Sequence, residues 1–145
     1  MNVSATPLKL IEWTLILGFV SCASAQSFMA ELTTEHDPGR RSQKALLLAD
    51  SAFEDAREYY NKGEVSKGDA SLDNMTQALT ACVESLRQAR KPKFYKKAEL
   101  NVALLQRRMT TLLQDIDLQE RGWAEQTNRV LDKIHEKLLA GVMSR

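Results

Sequence analysis

The side chains best suited to chemistry are few and scattered. Histidine occurs only at His36 and His135, and cysteine only at Cys22 and Cys82. A zinc site draws on three or four converging Cys, His or carboxylate ligands, usually announced by closely spaced Cys or His pairs; no such pair exists here. There is no Gly-rich phosphate loop, nucleophile elbow or H-E-x-x-H, and no Glu-x-x-His pair of the kind that builds di-metal carboxylate bundles. His135, with Asp132 and Glu136 beside it, reads as a solvated histidine on a charged helix face. The acidic pairs Glu54-Asp55 and Asp115/Asp117 are the general acid–base candidates. The first lies away from the apolar stripe of its helix and the second at an expected helix end, so neither has the burial such chemistry exploits. No catalytic residue, metal ligand or cofactor is expected, and the chain is not read as an enzyme.

The most suggestive cluster is Arg87-Gln88-Ala89-Arg90-Lys91-Pro92-Lys93-Phe94-Tyr95-Lys96-Lys97, six bases in eleven residues. Arg87, Arg90 and Lys91 fall at an expected helix C-terminus, where the helix dipole favours cations. Lys93, Lys96 and Lys97 fall at the next N-terminus, where it disfavours them. The six make a candidate anion-binding corner for lipid head groups or an acidic partner; the competing reading is a solvated corner facing an acidic helix. Phe94 and Tyr95 are accounted for as a staple and a core residue.

These residues must be positioned by a small scaffold. A chain of 145 residues allows one domain, and six Gly and three Pro are few for a turn-rich sheet protein. The net charge of +1 exerts no strong overall pull toward nucleic acid or membrane. It conceals an asymmetry: residues 26–86 hold 11 acids and 6 bases, residues 87–145 hold 7 acids and 13 bases. The expectation is that the two halves fold against each other and neutralise one another.

Residues 1–25 read as a signal peptide. Lys9 and the amino terminus supply positive charge, Trp13 to Val20 an apolar run, and Ala23 and Ala25 an A-x-A site with cleavage before Gln26. The run is far short of the roughly 20 residues of a spanning helix. Phe19-Val20-Ser21-Cys22 offers the alternative of lipidation at Cys22. An exported, periplasmic or secreted protein is expected, with a lipid-anchored or signal-anchored form as the alternative. Cys82 then stands alone in the mature chain, on an apolar stripe, and reads as a small buried hydrophobe. The sequon Asn74-Met75-Thr76 lies mid-helix around a stripe residue, where glycosylation is not expected.

Residues 26–41, with Asp37-Pro38-Gly39 as a turn, read as a flexible lead-in, and residues 42–145 as a helical bundle domain. Ala45, Ala49, Ala52, Ala56 and Tyr59 mark one helix face, widened by Leu48 and Phe53. Gly63 closes that helix, and Ser66 with Asp69 resembles a capping box for the next. Leu72, Met75, Leu79, Cys82, Leu86 and Ala89 form a coiled-coil-like seam that should stop at Lys91 before Pro92. Pro92 opens a third helix carrying Tyr95, Ala98, Val102, Leu105, Met109, Leu112 and Ile116. Leu100, Leu104 and Leu113 give it a second apolar flank against another neighbour. The pattern falters across Asp117 to Gly122, read as a break with one continuous helix from Lys93 to Ala140 as the alternative, and resumes with Trp123, Thr127, Val130, Ile134 and Leu138, broadened by Leu131 and Leu139.

Tyr59-Tyr60-Asn61-Lys62-Gly63-Glu64 resembles the turn joining the two helices of a tetratricopeptide repeat. The resemblance covers six residues and no second copy follows at a 34-residue period, so no family is assigned. The fold class expected is all-α: an antiparallel bundle of three to four amphipathic helices after an N-terminal signal peptide. Function is expected to run through helix–helix contacts with a protein partner or through self-association. Membrane-surface contact at the basic corner is the alternative, nucleic acid is not expected in an exported chain, and the sequence is silent on small molecules.

Overall fold

The computed structural model describes residues 29–144, which are helical with no strand among them. After a short helical stretch at 29–33 come four long helices: α1 (Pro38–Asn61), α2 (Val65–Ala89), α3 (Pro92–Asp115) and α4 (Gly122–Met143). Residues 1–28, with the expected signal peptide and Cys22, lie outside the described residues.

The domain begins earlier than the sequence suggested. Asp37 is not in a turn but is the N-cap of α1: its carboxylate accepts the Arg40 N–H at 2.9 Å, and Pro38 occupies the first turn, where its missing N–H costs nothing. Leu32 is buried in the core. The structured part therefore reaches back beyond position 42, because an N-cap and an apolar anchor lie inside the polar stretch.

Between α1 and α2 the Gly63 N–H bonds to the Tyr60 carbonyl (3.0 Å) and the Glu64 N–H to the Tyr59 carbonyl (2.9 Å). This is a Schellman closure, with Gly63 at φ 74°. The expected capping box is absent: α2 starts after Glu64 without a side-chain cap, and Asp69 instead accepts a hydrogen bond from the Tyr60 hydroxyl. Tyr60, not Tyr59, is the buried member of the pair, because Gly68 leaves its ring room against α2. At the far end α2 stops at Ala89, short of Lys91. Arg90 takes the left-handed conformation at φ 52° and Lys91 is extended, as the residue before a proline tends to be.

Each short connection folds its helices into an antiparallel hairpin, α1 with α2 and α3 with α4. These two pairs make the broadest contacts in the molecule. The hairpins then stack with like on like, α1 beside α3 and α2 beside α4, while α2 and α3 barely meet although only two residues join them. The buried positions repeat accordingly. Ala45, Ala49, Ala52 and Ala56 recur 53 positions later as Ala98, Val102, Leu105 and Met109. Leu72, Met75, Leu79, Cys82 and Leu86 recur 52 positions later as Ala124, Thr127, Leu131, Ile134 and Leu138. All but the buried Thr127 belong to one continuous hydrophobic core.

Two features depart from the expected stripes. Leu100 and Leu104 do not pack on a further neighbour; they are 57% and 51% exposed, whereas Leu113 is packed against the core. Trp123 is 42% exposed, and its indole N–H donates to Asp73 of α2 at 3.1 Å. The break near Asp117–Gly122 is present: α3 ends at Asp115 and Ile116 is extended.

Antiparallel hairpins stacked in parallel gather the starts of α1 and α3 and the ends of α2 and α4 at one end of the molecule. Residues 29–49, 78–103 and 133–144 form that end and hold 11 bases against six acids; the remaining described residues hold 12 acids against seven bases. The two halves do meet through ion pairs, Arg108 of the second with Asp50 and Glu54 of the first, and along the bundle axis the charge divides into a basic end and an acidic end.

Candidate functional site

The six candidate anion-binding residues do share the basic end, joined there by Arg40 and Arg41 from α1, but they do not converge on one point. Arg87 faces Glu84 at 3.6 Å. The Arg90 backbone forms the C-cap of α2, its N–H bonding to the Leu86 carbonyl. The ammonium groups of Lys91 and Lys93 lie 5.9 and 5.1 Å from the Phe94 ring centre, and that ring lies against Gly39 in the first turn of α1. Lys96 turns to Glu99 at 3.3 Å, and Lys97 borders a cleft between α1 and α3. The nearby Asp37 carboxyl is held below its usual range, chiefly by the Arg40 amide, with Lys91 contributing.

His135 is not the solvated histidine expected from its sequence neighbours. Its Nε2 is 3.0 Å from Glu99 Oε1, and Glu99 is only 9% exposed on α3. The hydrogen bond from His135, helped by Lys96, keeps the Glu99 carboxyl below the ordinary glutamate value of 4.5 against the opposing effect of burial. The pair pins α3 to α4 beside a second link, Gln106 to Asp132 at 2.7 Å. Glu54 pairs with Arg57 at 2.8 Å and with Arg108 of α3, and Asp55, Asp115 and Asp117 are exposed. Cys82 is buried, and burial pushes its thiol up to about 12, which suppresses the reactive thiolate. No group of three or more His, Cys, Asp or Glu among the described residues could hold a metal ion.

The feature that the stripes concealed is the outer face shared by α1 and α3. A cleft of about 280 Å³ runs between them, floored by the buried Leu46 and Leu105 and rimmed by Leu47 and Leu104, with Lys97 and Asp50 also bordering it. Leu47 is 72% exposed; Leu100 stands one turn before Leu104 on the same face. Beside the cleft, the Arg108 guanidinium spans from α3 to Asp50 and Glu54 of α1 and stacks on Phe53 at 4.6 Å. The other strongly exposed apolar side chains, Leu118 and Met143, lie singly in the α3–α4 connection and at the end of α4. Scattered apolar residues are ordinary on a surface; Leu47, Leu100 and Leu104 share one face instead.

No family model, curated protein or solved structure matches the chain.

Proposed function

We propose that this is an exported, non-catalytic helical protein that works by presenting the α1/α3 face to another helical surface. The observation that carries the reading is the exposure of Leu47 and Leu104 at one cleft, with Leu100 one turn before Leu104. Export rests on the leader-like pattern of residues 1–25, and cleavage before Gln26 is its concrete form. No helix among the described residues is long and apolar enough to cross a membrane. Helix-in-groove contacts take their affinity from a few apolar anchors spaced by helix turns; Leu100 and Leu104 are so spaced on α3, with Leu47 across the cleft on α1.

The test is a Leu47→Glu, Leu104→Glu double variant. Both side chains are exposed, so helicity and thermal midpoint should stay close to the parent's. In cells, site-directed photocrosslinks placed at Leu100 should capture a defined adduct in the parent and lose it in the variant. An adduct that persists unchanged would end the reading of this face. Intact-mass measurement of the exported product checks the cleavage.

A second reading, contact of the basic end with an anionic surface, is favoured by the excess of bases there. It predicts steep weakening with salt, whereas contact through the leucines would resist it.

A further inference from the structure

The end of the bundle that gathers the starts of α1 and α3 and the ends of α2 and α4 stays positive after its ion pairs are counted. Of its six acids, Glu31 pairs with Lys44, Glu84 with Arg87 and Glu99 with Lys96. That leaves eight bases against Glu35, Asp37 and Glu136, and the Asp37 carboxylate is occupied as the cap of α1. Helix dipoles add little to this excess, because two helices start at this end and two finish there. The bases are also spread over all four helices. Within two turns of the end stand Arg40 on α1, Lys93 and Lys97 on α3 and Lys137 on α4, all exposed, with Arg90 closing α2. They do not converge on one point. A single anion, or a peptide lying in one groove, would meet two or three of them; a surface that meets all four helices has to lie across the end. Met143, 71% exposed at the close of α4, is an apolar side chain at the same end.

We propose that this end docks on a lipid bilayer carrying anionic head groups, with the bundle axis upright on the membrane. The inference rests on the second reading above, contact of the basic end with an anionic surface, and names that surface. Phosphates spread over a plane suit bases spread over a plane, and each base held near such a surface strengthens binding about fivefold. The contact is peripheral and reversible, since it inserts neither an acyl chain nor a long apolar face. It also leaves the α1/α3 cleft on the side of the upright molecule, open to a helical partner.

The test uses protein purified after expression of the full-length chain, co-sedimented with unilamellar vesicles. Wild type should bind phosphatidylcholine vesicles containing phosphatidylglycerol at least about tenfold more tightly than phosphatidylcholine alone. Raising the salt should release it, because the screening length shortens from about 10 Å at 0.1 M to about 3 Å at 1 M. Lys91→Glu with Lys93→Glu, and separately Arg40→Glu with Lys137→Glu, should each weaken binding at least about tenfold, since a surface across the end touches both sets. Lys62→Glu with Lys67→Glu changes the net charge equally at the opposite end and should leave binding within about twofold, as those positions lie beyond the screening length. Leu47→Glu with Leu104→Glu should do the same, being on the side of the bundle. All these positions are exposed, and circular dichroism checks that each variant is folded.

Equal binding to both kinds of vesicle overturns the inference, as does an equal loss from reversals at either end, which would mean that only net charge is read. Loss with one basic-end pair and not the other, or with the leucine pair, overturns the upright arrangement, because the bundle then lies on its side. Poly-glutamate in solution separates this inference from the reading beneath it. Salt-sensitive binding to poly-glutamate without binding to anionic vesicles overturns the bilayer as the occupant and leaves the basic-end reading standing; binding to neither overturns both.

Discussion

At the scale of single residues, the most consequential contact is the one between Glu99 and His135, which ties α3 to α4 and is 36 positions apart in sequence. Glu99 is nearly buried and its carboxyl titrates below the ordinary 4.5, so between the two values the unfolded chain binds a proton that the folded chain refuses. Stability from this group is therefore present above about pH 4.5 and is lost as the pH falls through the folded value. Glu99→Gln should lower the urea midpoint at neutral pH and flatten its fall below pH 4.5. Some slope should remain, because Asp37 and Glu58 are also held low. Parallel midpoint-versus-pH curves for the two proteins would show that Glu99 does not carry the acid sensitivity. No pattern in the sequence could have found this pair. Glu99 directly follows the core residue Ala98 on the flank facing α4, and an acid there has no meaning until the histidine opposite is known.

At the scale of elements, the stripes were legible because a 3.6-residue period needs only local sequence. Leu72, Met75, Leu79, Cys82 and Leu86 are all buried, as are Tyr95, Ala98, Val102, Leu105, Met109, Leu112 and Ile116. What the period cannot tell is whether a widened stripe meets a neighbour. Leu113 does, on the side covered by α4, but Leu100 and Leu104 point past α1, whose facing residues Gln43, Leu47 and Asp50 border the cleft without closing over it. The start of α1 was misread for a different reason: Asp-Pro-Gly favours both a turn and a helix beginning, and Leu32 and Phe94, which decide for the helix, come from elsewhere in the chain. Asp37 is consequently predicted to matter. Asp37→Ala removes the acceptor for the Arg40 amide and should cost about 1 kcal/mol, the usual effect of losing such a cap, in chemical denaturation at pH 7. An unchanged midpoint would mean that Pro38 and the packing of Phe94 on Gly39 suffice to start the helix.

At the scale of the whole molecule, the two stacked hairpins pose the question of whether they are one cooperative unit. Neither can shield its stripe alone, since the positions repeated 52 and 53 residues apart face each other across a single continuous core. α1 carries alanine at all four repeated positions, and there it meets the alanine, valine, leucine and methionine of α3. Undocking would expose both sets together, so partial unfolding gains little chain entropy for a large loss of apolar burial. Trp123 reports on this joint because it starts α4 while bonding to Asp73 in α2. In a Trp13→Phe chain it is the sole tryptophan, so its fluorescence follows hairpin docking while far-ultraviolet circular dichroism follows the helices. The two urea transitions should coincide in midpoint and slope, the signature of two-state unfolding. A fluorescence transition preceding the loss of helix would mean that the hairpins part before they melt, with the joint between α1 and α3 coming apart at lower urea than either hairpin.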